Sequence, residues 1–154
     1  MTVEQRLREL GLVLPPPPKP AGNYQPWILA HNLLFLAAQL PIENGESRYT
    51  GQVGAELTEE QGYAAARLSG LNVLAQIHDA LGGFDRLQGL IRVEGHVASA
   101  PGWTNVPKVL NGASDLFVAV LGERGRHARA AFCPSRLPLN LSVELVVTAA
   151  VVSN

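Results

Sequence analysis

The sequence contains few of the residues that would cross-link a chain or bind a polyanion. Cys133 is the only cysteine, so no intrachain disulfide can form and the Cys/His spacing of a structural zinc site is absent. Charged residues make up only 16% of the 154 residues, no long run of lysine or arginine occurs, and the formal net charge is −1. Binding to a phosphate backbone needs a basic surface, so nucleic acid is not an expected partner. The single cysteine favours a reducing compartment, and we expect a cytoplasmic protein.

Long apolar runs and several well-known catalytic motifs are also missing. No stretch approaches roughly 18 uninterrupted apolar residues, and the N-terminal MTVEQRLREL segment is amphipathic, so the sequence predicts neither a membrane-spanning helix nor a signal peptide. We expect no membrane partner. The glycine-rich phosphate loop with its lysine, the GxSxG elbow and the HExxH motif are absent. Because His31, His78 and His96 have no metal-ligand spacing, we expect neither a metal nor a cofactor.

The size and hydrophobicity of the chain indicate one α+β domain that associates with copies of itself. A length of 154 residues fits a single domain, whereas two domains would each be marginal. Hydrophobic residues make up 47% of the sequence, which leaves little charged surface for a lone globule. We therefore expect partner subunits to cover part of the apolar surface.

The first 20 residues differ in character from the rest and are predicted to form an N-terminal arm. Thr2 and Gln5 have the spacing of a capping box, which predicts a short helix that ends before Gly11. Pro15 to Pro18, followed by Pro20, form a stiff extended stretch that cannot continue a helix or a central strand. We divide the chain into this arm, residues 1–20, and an α+β domain, residues 21–154.

Residues 27–83 contain signals for a hairpin and a long helix. Two apolar runs between Trp27 and Leu40 meet at His31 and Asn32, which predicts a β-hairpin. Asn44-Gly45 marks a further turn in a polar connection. A second capping box, Thr58 with Gln61, begins a helix that the Gly82-Gly83 pair ends. The apolar stripe expected on this helix is Ala64, Leu68, Leu71 and Ala75, widened by Leu74, Ile77 and Leu81.

The remaining residues predict a strand, a second helix and two more strands. The strand covers residues 87–99, the helix residues 105–121, and the last strands residues 128–132 and 141–152. Alternation in the first of these strands predicts one buried face made of Leu87, Gly89, Ile91, Val93, Gly95 and Val97. Two helices cover one face of a mixed sheet, yet the strands carry apolar residues on both faces. We therefore expect association through the uncovered face.

Several short motifs in one order resemble the Rid family of imine deaminases. In the C-terminal third they are residues 126–132 (RHARAAF), residues 135–138 (SRLP) and residues 143–145 (VEL). Earlier segments with the same resemblance are Gly22-Asn23-Tyr24, Ala37 to Pro41, the alanine-rich helix and Asn111, so that residues 20–152 are covered. The resemblance implies a chorismate-mutase-like subunit, a homotrimer, and ligand clefts between subunits.

The chain departs from the family pattern at three positions near the expected site. The usual Ser-Gly before the glutamine is Ala37-Ala38, the cysteine two residues after the arginine is Ala131, and the proline two residues before it is His127. These replacements indicate a divergent branch of the family.

Arg129 and Glu144 are the candidate catalytic residues. A guanidinium binds a planar carboxylate with two parallel hydrogen bonds, so Arg129 is a candidate substrate-binding group. The residues alone favour the alternative of a surface or interface arginine paired with a carboxylate, whereas the resemblance favours substrate binding. Glu144 shares a strand face with Ser142 in an otherwise apolar strand. The resemblance implies that Glu144 orients a hydrolytic water, and partial burial would raise the pKa of its carboxyl. An exposed strand carboxylate is the other interpretation.

Tyr24, Asn111 and Ala131 complete the predicted binding site. Tyr24 contributes a phenol from a neighbouring subunit if the resemblance holds, or packs on the arm. Asn111 donates to a ligand or caps a helix kink beside Gly112, and the residues slightly favour the structural role. If the protein hydrolyses 2-imino acids, backbone groups near Ala131 are expected to face the imine nitrogen. His127 could be a proton donor, but a solvated histidine in a basic run is the more common case and the interpretation adopted. Cys133 is interpreted as structural.

Three functions are compatible with these residues. The first is an enzyme that hydrolyses small 2-imino acids to 2-keto acids and ammonia without a cofactor. The second is a binding or regulatory module that uses the same cleft for a carboxylate metabolite. The third, an RNA-directed activity, is disfavoured by the net charge of −1 and by a count of only three tyrosines and two tryptophans.

Overall fold

The computed structural model describes residues 1–153, which form three helices and seven strands. In chain order these are α1 (Val3–Glu9), β1 (Trp27–Ala30), β2 (Leu33–Leu36), β3 (Ile42–Glu43), β4 (Glu46–Ser47), α2 (Glu59–Leu81), β5 (Leu87–Val97), α3 (Val106–Leu121), β6 (Ala128–Phe132) and β7 (Val143–Val151). Single 3-10 turns follow α3 at Gly122–Gly125 and precede β7 at Pro138–Asn140. The predicted order of hairpin, helix, strand, helix, strand and strand is confirmed.

The main sheet has the order β1-β2-β7-β5-β6, and α2 and α3 pack together on one of its faces. All neighbouring strands are antiparallel except β5 and β6, which run parallel. Strand β6 therefore lies at one edge of the sheet, and β7 lies at the centre. The predicted α+β class, with a mixed sheet and helices on one face, is confirmed.

The N-terminal arm is attached to the domain at both of its ends. The Thr2 hydroxyl accepts from the Gln5 backbone N–H at 3.1 Å, which confirms the capping box, and the buried Val3 and Leu7 pack against the core. Residues 12–20 have no regular secondary structure, as the prolines predict. The Pro18 carbonyl accepts a hydrogen bond of 2.8 Å from the buried Gln76 side chain of α2, which holds the end of the arm on that helix.

The predicted hairpin is present, but its strands are shorter than expected. Ala30 pairs with Leu33, so His31 and Asn32 form a two-residue turn, in which His31 has a positive φ of 54°. The second strand ends at Leu36 rather than at Leu40. The turn predicted at Asn44-Gly45 is confirmed, and it joins β3 to β4 in a small second hairpin whose strands were not predicted.

The stripe predicted for α2 is only partly correct. The Thr58/Gln61 capping box is confirmed and the helix ends at Gly82, in the left-handed conformation. Leu74, Ala75 and Ile77 are buried as predicted, but Ala64, Leu68 and Leu71 are only half-buried. The sheet, α3 and the arm contact this helix from several sides, so its buried surface is wider than one stripe and includes Ala65, Ala66, Ser69, Gly70, Asn72, Val73 and Gln76.

The strand alternation predicted for β5 fails at its beginning. Register shifts occur between Leu87 and Gly89 and between Leu90 and Arg92. As a result Leu90 is buried, whereas Ile91, predicted to face the core, is 43% exposed. The alternation holds from Val93 onwards.

The face of the sheet opposite the helices carries uncovered apolar side chains. Ile28, Phe35 and Phe132 are 52%, 44% and 48% exposed. Pairing places Phe35 beside Thr148, and Phe132 beside His96, on the side of the sheet away from the buried Val147 and Val97. We call this surface the outer face. The prediction that apolar residues lie on both faces of the sheet is confirmed.

Candidate functional site

Arg129 lies on the edge strand β6 and points to the helix side of the sheet. It pairs with Val93 of β5, whose side chain is buried under the helices. Asn111 and Ser114 are three residues apart on α3 and therefore lie on one helix face. The guanidinium lies against that face, because the register of β6 brings it level with the N-terminal half of α3.

Three acceptors fix the Arg129 guanidinium. Nη1 donates to Asn111 Oδ1 at 2.9 Å and to Ser114 Oγ at 3.0 Å, and Nη2 donates to the Pro107 carbonyl at 3.3 Å. Asn111 thus binds the arginine directly, and the interpretation that it caps a helix kink is not needed. In residues 1–153 no carboxylate forms a salt bridge with Arg129, so the alternative of a paired surface arginine finds no support there.

Two N–H donors of Arg129 have no acceptor within residues 1–153. A guanidinium has five N–H donors, and the contacts above use both hydrogens of Nη1 and one of Nη2. The Nε–H and one Nη2–H are not engaged in the described part of the chain. These two atoms form the edge of a guanidinium that binds a carboxylate with two parallel hydrogen bonds.

His127 is partly buried beside this group, so the interpretation of a solvated histidine is wrong. Its Nδ1 lies 2.7 Å from the Gly125 carbonyl and its Nε2 lies 2.9 Å from Ser114 Oγ. The ring also packs edge-on against Phe117, with the ring centroids 5.8 Å apart. Burial lowers the pKa of His127 below its usual value; the Gly125 carbonyl opposes this shift and the nearby Arg129 charge adds to it.

The depressed pKa of His127 predicts a loss of stability on acidification. The folded state binds this proton less readily than the unfolded chain, in which the pKa is about 6.5. The contribution of His127 is therefore complete above about pH 6.5 and decreases as the pH falls below that value. Urea unfolding of wild type and His127→Gln should show that the wild type loses more free energy of unfolding than the variant between about pH 7 and 5. Parallel pH dependence in the two proteins would contradict this assignment.

Glu144 lies on the outer face of the sheet and is bound by a histidine. It pairs with His96 across β7 and β5, and His96 Nδ1 lies 2.9 Å from Glu144 Oε1. Because a carboxylate only accepts, His96 donates from Nδ1. The other ring nitrogen lies 3.7 Å from Glu94, which is paired with Arg92 at 3.0 Å. The Glu144 side chain is only 15% exposed, so the interpretation as an exposed strand carboxylate is wrong.

Arg129 and Glu144 are therefore on opposite sides of one sheet. Arg129 contacts α3 on the helix side, whereas Glu144 points to the outer face, with β5 between their strands. Within one chain the two candidate catalytic residues do not meet.

Residues 4–151 match the family described as "YjgF/chorismate mutase-like, putative endoribonuclease". The chain belongs to the YjgF/Rid family. This YjgF/Rid protein is 40% identical to Protein TCP17 of Trypanosoma cruzi over 144 residues, which cover 93% of this chain and 90% of that protein.

Two solved structures are also similar to this YjgF/Rid protein. A structure from Shewanella oneidensis, titled "putative endoribonuclease", is 37% identical, has a TM-score of 0.95, and is matched over 98% of this chain and 100% of its own. The structure of Atu1372 from Agrobacterium tumefaciens is 41% identical with a TM-score of 0.89, over 97% of this chain and 92% of that one. The sequence-based identification of the family is confirmed.

Tyr24 and Ala131 occupy separate parts of the YjgF/Rid subunit. Tyr24 is 51% exposed, and its hydroxyl accepts a hydrogen bond of 3.1 Å from the Ala21 N–H. It lines a small cavity together with Ala37, Ala38 and Gln39, and the Gln39 backbone pairs with Leu145, the neighbour of Glu144. Ala131 is exposed on β6, two residues from Arg129. Ala131 thus lies on the same strand as Arg129, whereas Tyr24 lies beside the segment that pairs with β7.

Three structural observations complete the description of this YjgF/Rid subunit. The thiol of Cys133 is exposed, so this cysteine is not a buried residue of the core. Among residues 1–153, no three His, Cys, Asp or Glu side chains are grouped so that they could bind a metal ion. No helix in the same range combines the length and hydrophobicity needed to cross a bilayer.

Two functional contacts were missed from the sequence. Ser114 carries a weak signal, since it lies three residues after Asn111 on the same predicted helix, but its contact with Arg129 depends on where β6 lies against α3. Nothing in the sequence near His96 predicts its contact with Glu144. That contact depends on the antiparallel register of β5 and β7, which are separated by α3 and β6 in the chain.

Proposed function

We propose that this YjgF/Rid protein binds a small carboxylate metabolite at Arg129 and hydrolyses 2-imino acids to 2-keto acids and ammonia. The observation that carries the proposal is the Arg129 guanidinium, which three acceptors hold while two of its N–H donors have no partner in residues 1–153. A pre-oriented fork of this kind binds a planar carboxylate without first ordering a flexible side chain.

The open edge of β6 supplies the surface next to the carboxylate. Strand β6 has β5 on one side only in the described chain, and Ala131 is exposed two residues beyond Arg129. An acid held by Arg129 would extend along this edge, so that backbone groups near Ala131 face its imine nitrogen. The small side chain of Ala131 leaves that backbone accessible.

Glu144 is the proposed acid/base group. It takes a proton from water as the water oxygen bonds to the imine carbon and passes that proton to the nitrogen, which gives a carbinolamine. It then takes the hydroxyl proton and passes it to the amino nitrogen as the C–N bond breaks, so that ammonia leaves and the C–O bond becomes a carbonyl. The reaction consumes one water and needs no redox partner. The hydrogen bond from His96 fixes one carboxylate oxygen and leaves the other for the water.

The opposite placement of Arg129 and Glu144 supports a site shared between subunits. Arg129, Asn111 and Ala131 would face Glu144 and Tyr24 of a neighbouring copy. The uncovered apolar outer face supports such association, and a closed ring with head-to-tail contacts, a homotrimer, satisfies it.

A subunit-mixing experiment tests this arrangement. Arg129→Ala and Glu144→Gln subunits, each inactive alone, are unfolded, mixed in equal amounts and refolded together. If the site takes Arg129 from one subunit and Glu144 from the next, each mixed trimer contains one intact site, and roughly a quarter of wild-type turnover returns. Each variant refolded alone is the control. Sedimentation should show a trimer at micromolar concentration. A monomer in sedimentation, or refolded mixtures without turnover, would contradict the proposal.

The test of the reaction itself is the release of ammonia from freshly generated 2-iminopropanoate. We expect the wild type to accelerate this hydrolysis above the rate in buffer, without added metal or cofactor. If ammonia is released at the same rate with wild-type protein as in buffer alone, the enzymatic proposal is contradicted.

The second candidate is a non-catalytic binding or regulatory module that uses the same cleft. The observation that favours it is the lack of polar side chains at Ala37, Ala38 and Ala131, the three small residues around the candidate site. In that case the protein binds the carboxylate with Arg129 and does not accelerate the reaction.

A further inference from the structure

A chain of hydrogen bonds leads from Arg129 to the backbone of the turn before β6. Arg129 Nη1 donates to Ser114 Oγ at 3.0 Å, Ser114 Oγ lies 2.9 Å from His127 Nε2, and His127 Nδ1 lies 2.7 Å from the Gly125 carbonyl. Ser114 and His127 are both half-buried, and they come from different elements, α3 and the segment between the 3-10 turn and β6.

The donor and acceptor of each hydrogen bond in this series follow from the two end groups, the Gly125 carbonyl and the Arg129 guanidinium. A carbonyl oxygen only accepts, so Nδ1 of His127 carries a hydrogen. Burial lowers the pKa of His127 and so favours the uncharged ring, in which Nε2 has a free lone pair. The Ser114 hydroxyl donates to that lone pair, which leaves its oxygen to accept from Arg129. Every group in the chain then donates or accepts without conflict.

We propose that Ser114 and His127 are positioning residues that orient the Arg129 guanidinium for carboxylate binding. Asn111 fixes one hydrogen of Nη1, and the serine supported by the histidine fixes the other. With both hydrogens held, the planar group cannot rotate about its long axis, and the Nε and Nη2 edge keeps one direction. This inference rests on the proposed role of Arg129, and the experiment below separates the two.

A serine next to a neutral histidine is also the arrangement of a nucleophile and its base. In this protein the serine oxygen accepts a hydrogen bond from a guanidinium cation, which withdraws electron density from the atom that would attack. The geometry therefore favours positioning over nucleophilic catalysis, and labelling by a fluorophosphonate distinguishes them.

The experiment measures the affinity for pyruvate by calorimetry in five proteins: wild type, Ser114→Ala, His127→Ala, the double variant and His127→Gln. Each alanine variant should weaken binding roughly tenfold, the scale for one hydrogen bond to a charged group. The double variant should be no weaker than Ser114→Ala, because the histidine acts only through the serine. In His127→Gln the amide oxygen of the new side chain accepts from the serine hydroxyl, so this variant should stay within about twofold of wild type.

Kinetics on 2-iminopropanoate add a second criterion. The alanine variants should raise KM with little change in kcat, since they act on binding of the carboxylate. Additive losses in the double variant, no rescue by His127→Gln, or labelling of Ser114 by a fluorophosphonate would overturn the inference. If Arg129→Ala binds pyruvate as tightly as wild type, the proposed function itself fails, whereas a loss in Arg129→Ala with none in His127→Ala overturns only the positioning role.

Discussion

Replacing Arg129 by alanine is expected to abolish most carboxylate binding while leaving the fold intact. Removal of a charge-assisted bidentate contact costs on the order of 2 to 4 kcal/mol, which is roughly 30- to 900-fold in Kd. The fold should persist, because Arg129 lies on an edge strand and Ser114 keeps its hydrogen bond to His127.

Arg129→Lys should fail in the same way, for a geometric reason. An ammonium keeps the charge but cannot supply two parallel donors while also contacting Asn111, Ser114 and the Pro107 carbonyl. Arg92→Ala is the matched control, since it removes the same charge from the neighbouring strand but on the outer face, where Arg92 pairs with Glu94. Calorimetry with pyruvate-like acids measures all four proteins. Equal affinity in wild type and both Arg129 variants would show that the site is elsewhere.

Glu144→Gln is expected to separate turnover from binding. The amide has the same shape, and its oxygen still accepts from His96 Nδ1, so the local geometry should persist. An amide cannot accept the proton of the attacking water, and turnover should fall by roughly 10²-fold or more. Affinity for pyruvate should be retained or slightly improved, because a negative charge is removed near the bound carboxylate.

Glu94→Gln is the control for this substitution. It changes the carboxylate on the other side of His96, and turnover should change by less than about threefold, since Glu94 lies 3.7 Å from His96 and is paired with Arg92 rather than with Glu144. A pure binding module predicts no turnover in the wild type and the same affinity in both variants. Unchanged imine hydrolysis in Glu144→Gln would exclude the proposed mechanism even if the protein is an enzyme.

Local sequence signals predicted most elements of the fold. Capping boxes at Thr2 and Thr58 located two helix starts, and the two-residue turn at His31 and Asn32 located the hairpin. These features depend on neighbouring residues only, so the sequence contains the information directly. The error at Ile91 has a different origin, because a β-bulge depends on how β5 pairs with β7, and no residue near position 91 signals it.

The candidate site was predicted residue by residue but not as an arrangement. Arg129 and Glu144 were identified through the family resemblance, yet strand alternation alone did not show that they point to opposite faces. That result depends on the pairing of β6 with β5 and of β5 with β7. His127 was misjudged because the surrounding basic residues indicate solvent, whereas the crossing of α3 over the sheet buries the ring against Phe117.

The position of β7 at the centre of the sheet has a consequence for biosynthesis. Leu34 near the start of the domain pairs with Ala149 near its end, and β5 also needs β7 as a partner. While the ribosome is still making residues 143–151, strands β2 and β5 therefore each present an unpaired edge, and most long-range contacts of the sheet have not formed. The sheet closes late, and the edges of β2 and β5 stay open to pairing with other strands until β7 is in place.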